Sequence, residues 1–282
     1  MSLVGNALFR DMPKVDCHCH VLDPAGFPYV AHSPYHPAGA EIGTADQIGH
    51  VFAAHGIGHA LLVQPNSGYM EDNRCMLAAI AASGGRYRGV AVVPHDISIE
   101  ALADLKAQGI VGVAFNLPFF PRGHYTGTEA LLEKLHALGM LLQVQVEGDM
   151  LLDILPMLTA SPVQLVFDHC GRPLPGRGPD QPGFRELLDL GRTGRAAVKL
   201  SGLIKCSEQA FPFADAHVLV AALLEAFGPD ACVWGSDWPF LRARERLDYG
   251  PLLNLFAHLV PEPDTQRAIL WNTPRRLFGF GD

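Results

Sequence analysis

VDCHCHVLDP, residues 15 to 24, sets two cysteines and two histidines in four consecutive positions behind an apolar start. In an extended strand successive side chains point to opposite faces, so His18 and His20 share one face and Cys17 and Cys19 share the other. The two pairs cannot act as one site. Which pair matters depends on whether the segment is the first strand of a larger series.

The rest of the chain supplies that series. Short apolar, β-branched runs recur at 14–20, 59–64, 87–93, 110–116, 140–146, 163–167, 196–201 and 232–235. Helical periodicity fills the intervals near 44–55, 72–83, 98–108, 128–138, 150–160, 183–193, 213–227 and 252–271, the last interrupted at Pro261 and Pro263. Thr44, Asp72, Ser98 and Thr128 are N-cap candidates, and Gly56, Gly109, Gly139 and Gly228 mark helix ends. Strand and helix alternating eight times predicts a single-domain α/β protein, a (β/α)8 barrel with helices outside. The alternative is an open doubly wound sheet, against which no GxGxxG opens the first helix. The barrel is expected over 14–282, after an N-terminal extension at 1–13 whose first residues read as in part left over from expression.

Composition narrows the function. A chain of 282 residues that is 49% hydrophobic can bury a large core, and a formal net charge of -8 argues against a nucleic-acid partner. The six cysteines show no paired CxxC spacing and read as reduced thiols. No secretory signal opens the chain, and apolar stretches such as AHVLVAALLEAFG are broken by charge before membrane-spanning length. A cytoplasmic protein with a small-molecule substrate and no membrane partner is expected; oligomeric state is not legible.

Pro- and Gly-rich stretches at 24–43, 117–127 and 171–183 each follow a strand and read as long loops over one rim, the face where barrel active sites form. His18 and His20 close the first strand, Asn116 the fourth, Gln145 and Glu147 the fifth, and Asp168 and His169 the sixth; Asp237 follows the eighth. First and eighth strands are neighbours in a closed barrel, so Asp237 is expected beside the histidine pair. Buried imidazoles and carboxylates need partners, and this joint pattern is hard to explain as packing alone. His18 and His20 are therefore assigned to the site, Cys17 and Cys19 to an outward, structural face. Lys205 beyond the seventh strand, Arg122 beyond the fourth and Tyr29 in the first loop are candidate substrate contacts.

Four motifs, VDCHCHVLDP, VFDHCGRP, VKLSG and VWGSDWPF, carry a resemblance to the lactonase branch of the amidohydrolase superfamily, which includes 2-pyrone-4,6-dicarboxylate hydrolase and sugar-acid lactonases. The resemblance implies a (β/α)8 barrel that opens a lactone with water through His18, His20, His169 and Asp237. Many relatives read GVRFN where this chain has GVAFN, which puts Ala114 in place of an arginine. After the seventh strand Lys205 stands where an arginine is common, and Gln145 where the pyrone-dicarboxylate enzyme has tyrosine. The superfamily's two-metal positions correspond to Asn116, Gln145 and His169, which argues against a binuclear centre. Catalysis without a cofactor is favoured; the alternative is one Zn-like divalent ion on His18, His20, His169 and Asp237. Rival functions are a metal-dependent decarboxylase of the same superfamily and a non-catalytic barrel that binds a sugar acid.

Overall fold

The computed structural model describes Phe9 and residues 11–281. The extension expected at 1–13 lies mostly outside the described residues; of it Phe9 is buried in the core. Eight parallel strands follow one another in order: β1 Lys14–Cys19, β2 Ile57–Val63, β3 Tyr87–Ala91, β4 Ile110–Asn116, β5 Leu141–Gln145, β6 Leu165–Phe167, β7 Ala196–Leu200 and β8 Cys232–Trp234. Between them run α1 Ala45–His55, α2 Arg74–Ala82, α3 Ile99–Ala107, α4 Glu129–Ala137, α5 Leu151–Ala160, α6 Pro182–Arg192 and α7 His217–Phe227, with α8 Tyr249–Leu259 after β8. This is the expected single-domain (β/α)8 barrel. No helix among the described residues is long and apolar enough to cross a membrane.

Local chemistry explains most boundaries. Thr44 forms a full capping box with Gln47, and Gly56 ends α1 in the left-handed region. Ser98 accepts from the Ala101 amide to start α3. Two cap expectations fail: Asn73, not Asp72, precedes α2, and the Thr128 hydroxyl donates to the Tyr125 carbonyl. After α8 the chain resumes at Pro263–Arg267, passes through a π turn at Ala268–Asn272 and ends in Thr273–Phe278. The predicted break at the prolines is therefore real, and helical structure extends beyond 271.

The barrel closes at its C-terminal end, where Cys19 bridges Trp238, the His20 amide donates to the Trp238 carbonyl at 2.8 Å and the Asp237 amide to the His18 carbonyl at 2.8 Å. Below that point β1 carries a bulge: Asp16 is level with Ala60 and Cys19 with Leu62, so an extra residue enters β1. The Asp16 carboxylate accepts from the amides of His18 and Ser236 and from the Tyr249 hydroxyl, tying β1, β8 and α8 together.

The bulge corrects the face assignment made from strict alternation. Cys19 packs outward with the helix layer, but Cys17 belongs to the barrel's inner cluster with Val15, Leu61, Val90, Val166 and Val233. Phe278 and Phe280 of the C-terminal segment join this inner cluster. All six cysteines are buried and free.

Candidate active site

The inner faces of β5 to β7 become polar above that apolar cluster. Lys199 on β7, fully buried, places Nζ 3.1 Å from His18 Nδ1, 3.1 Å from Asp168 Oδ1 and 2.5 Å from Gln143 Oε1. Asp168 Oδ2 accepts from Gln143 Nε2 at 2.8 Å, and Oδ1 lies 3.1 Å from His18 Nδ1. Burial alone raises a carboxyl pKa, yet the Lys199 ammonium and His18 together hold Asp168 well below the usual range. Burial, then the Lys199 charge, pulls His18 down to about 4, so its imidazole is neutral at pH 7.

Over this layer three imidazoles meet one carboxylate. Asp237 Oδ1 lies 3.7 Å from His18 Nε2, 3.5 Å from His20 Nε2 and 3.7 Å from His169 Nε2. His20 Nδ1 is 2.8 Å from the Val63 carbonyl. A carbonyl only accepts, so Nδ1 carries the proton and a neutral ring leaves Nε2 bare toward the cavity. His169 Nδ1 is 3.0 Å from Ser201 Oγ, and burial followed by the nearby Lys205 charge drives the His169 pKa well down. Burial opposes the Asp237 charge, but Lys205 and His169 outweigh it and keep the carboxyl well below its ordinary value.

Close packing of backbone makes this convergence possible. A Cβ on Gly235 would lie 2.6 Å from His18 Cβ, and one on Gly202 would lie 2.7 Å from His169 Nδ1. Asp237 and His169 themselves hold left-handed backbone, φ 63° and 51°. Non-glycine residues there cost about 1–3 kcal/mol each, a strain that persists where the surrounding structure fixes it.

The cluster opens into a cavity of about 320 Å³. His18, His20, His169, Asp237, Lys205, Gln145 and Asn116 all line it. The Lys205 ammonium is not free: it forms an ion pair with Asp237 Oδ2. Asn116 donates to Asn66 Oδ1 at 3.0 Å, while Asn66 Nδ2, Asn116 Oδ1 and Gln64 Oε1 are buried without a hydrogen-bond partner among the described residues.

Two candidates lie elsewhere. Arg122, 83% exposed, pairs with Asp153 on the rim of a separate cavity. Tyr29 donates to the Pro37 carbonyl at 3.0 Å and packs on Tyr69, so it braces the first loop. Trp234 packs outward against Tyr249 and Phe256.

The sequence reading does not single out Lys199, Gln143 or Arg172, and it gives Glu147 no role beyond closing the fifth strand. Arg172 and Glu147 in fact line the cavity and pair with each other at 2.6 Å. The signal for Lys199 and Gln143 was present: each is a polar residue at every-second spacing inside a strand otherwise apolar enough to be buried on both faces.

A closed parallel barrel with an HxH strand end, a sixth-strand histidine and an aspartate after the eighth strand defines a hydrolase of the amidohydrolase kind. The Amidohydrolase family model matches residues 15–280, and the chain belongs to that family. The chain is 31% identical over 275 residues to 4-sulfomuconolactone hydrolase of Rhizobium radiobacter, covering 94% of this chain and 89% of the relative. It is 29% identical over 279 residues to 2-pyrone-4,6-dicarboxylate hydrolase of Comamonas testosteroni, covering 94% and 89%. A solved structure of a probable 2-pyrone-4,6-dicarboxylic acid hydrolase from Acinetobacter baumannii, with citric acid bound, superposes with a TM-score of 0.86 at 28% identity, covering 95% of this chain and 99% of that one.

Proposed function

We propose that this protein opens a small, carboxylate-bearing lactone with water. The observation that carries the reading is the meeting of three imidazole Nε2 atoms on one Asp237 oxygen at the barrel mouth. The relatives' names, both of lactone hydrolases, support it.

In this mechanism a water held by Asp237 and the bare His20 Nε2 attacks the lactone carbonyl carbon, and Asp237 takes its proton. With its Nδ1 accepting from the Ser201 hydroxyl, His169 donates Nε2–H to the carbonyl oxygen as negative charge develops there, and the Lys199 ammonium behind His18 adds positive charge to the site. The ring C–O bond then breaks, and the proton on Asp237 passes to the leaving alkoxide, giving a hydroxy acid. Lys205 receives the substrate's carboxylate, with Arg172 beside it in the cavity lining.

The donor atoms of His18, His169 and Asp237 lie within 4.8 Å of one another, as a single cation would require. The charges do not fit one. Lys199 and Lys205 already balance Asp168 and Asp237, so a divalent ion would add two uncompensated buried charges. We therefore propose turnover without a metal, and the same balance disfavours a metal-dependent decarboxylase. The reading further places the protein in the cytoplasm, with residues 14–282 as its barrel domain and no nucleic-acid partner, in line with the free thiols and the acidic chain.

The test is turnover of a lactone panel by purified protein with and without chelator, alongside Asp237→Asn. Acid lactones should be opened equally in both conditions, and Asp237→Asn should lower kcat/KM by about 10²- to 10⁴-fold, the scale of a lost general base. Near-wild-type turnover in Asp237→Asn sinks the mechanism; loss of turnover in chelator sinks the metal-free proposal.

A further inference from the structure

The catalytic cavity has a neighbour. A second cavity of about 250 Å³ lies beyond the C-terminal ends of β3 and β4, and Ala114 and Phe115 line both. Ala114 is level with Gln143 across the β4–β5 ladder, so it belongs to the barrel's inner face, and its methyl group is only half-buried. A methyl group therefore stands at the junction of the two spaces. We infer that Ala114 joins the catalytic cavity to this chamber, and that the chamber takes an uncharged, flat apolar substituent of the lactone, such as an aryl ring.

The walls favour that class. Phe120 stacks on His124 with ring centroids 4.0 Å apart and 5° between planes, and Phe115 stacks on Tyr125 at 4.1 Å. Val92 and Val93 supply aliphatic surface. Among the described residues no lysine or arginine lines the chamber; its titratable groups are the carboxylates of Glu71 and Asp96, the imidazoles of His95 and His124 and the Tyr125 phenol, so a carboxylate entering it meets like charge with no permanent cation to offset it. The cavity's cations, Lys205, Arg172 and Arg242, line the catalytic side alone. A lactone thus binds with its carboxylate toward Lys205 and its apolar group toward Ala114. Volume is sufficient, since a cavity of about 150 Å³ accommodates benzene.

This inference rests on the lactonase reading, and its test separates the two. Two acid lactones of the same ring are compared, one bearing a phenyl group and one bearing hydrogen, in wild type, Ala114→Leu and Phe120→Ala. The readout is the ratio of kcat/KM for the phenyl lactone to that for its parent. Wild type should favour the phenyl lactone by about tenfold or more, the scale of burying an aromatic ring. Ala114→Leu, which grows into open space and closes the junction, should bring the ratio near one. Phe120→Ala, which removes a wall, should lower it to an intermediate value.

A wild-type ratio near one, or a ratio that Ala114→Leu leaves unchanged, overturns the chamber. If neither lactone is opened, the lactonase reading fails instead. Calorimetric affinities of the two ring-opened hydroxy acids then give the same ratio: a phenyl preference lost in Ala114→Leu upholds the chamber, and no preference overturns it.

Discussion

Lys205 has one ammonium and two claims on it. In the free protein it pairs with Asp237, and its charge is the chief influence holding that carboxyl down against burial. In the proposed complex a substrate carboxylate draws it away, which returns Asp237 toward ordinary basicity as the substrate arrives. Lys205→Met keeps the aliphatic stem and deletes the charge. For an acid lactone kcat/KM should fall about tenfold to a hundredfold, matching the about 1.5–3 kcal/mol of a charge-assisted bond. A neutral ester lactone of the same ring should be opened at least as fast as by wild type, because Asp237 loses the charge that suppresses it. Steady-state kinetics on the matched pair checks this. Equal losses on both substrates would show that Lys205 serves Asp237 and never reads the carboxylate.

At the scale of the element, the β1 bulge decides where the histidines point, and Asp16 holds it. Its carboxylate accepts from three donors on three elements: the His18 amide, the Ser236 amide and the Tyr249 hydroxyl. Asp16→Ala strands all three in a buried setting, at about 1–3 kcal/mol each. Urea denaturation should show a loss of several such increments, and kcat should fall because His18 is no longer fixed against β8; Asp16→Asn, which keeps one acceptor oxygen, should fall between. A stable, fully active Asp16→Ala would show that closure at Cys19 and Trp238 holds the bulge unaided. This element also marks how far the sequence could be read. Strand and helix alternation is a periodic signal, so all eight strands and the rim positions of His18, His20, His169 and Asp237 were visible in it. A bulge is not periodic: the extra residue between Asp16 and Cys19 exists only relative to the pairing with β2, and it turned Cys17 inward against expectation. Arg122 failed for a related reason, since a loop's path over the rim depends on contacts, here with Asp153, that spacing does not encode.

The whole molecule divides chemistry from stability along the barrel axis. The polar cluster of Lys199, Asp168, the three histidines and Asp237 occupies the C-terminal end of the strands, the usual catalytic face of such barrels. The opposite end is sealed by the chain's own last segment, where Phe278, 2% exposed, and Phe280 pack on Val15, Cys17, Leu61 and their inner-layer neighbours. Phe278→Ala opens a void beneath a layer that the surrounding strands cannot collapse to fill, a change that costs about 3–5 kcal/mol for a buried phenylalanine. Of the described residues lining the catalytic cavity Ala114 packs against that inner layer, while the three histidines, Asp237 and Lys205 lie outside it, so the two effects should largely separate. Thermal unfolding of Phe278→Ala should move to lower temperature by an amount consistent with that loss, while kcat/KM measured well below the new midpoint should stay within about twofold of wild type, as for distant sites without shared partners. A large fall in kcat/KM at a temperature where the variant is fully folded would show that the inner apolar layer transmits its packing upward to Lys199 and His18, and that the floor of the barrel belongs to the active site after all.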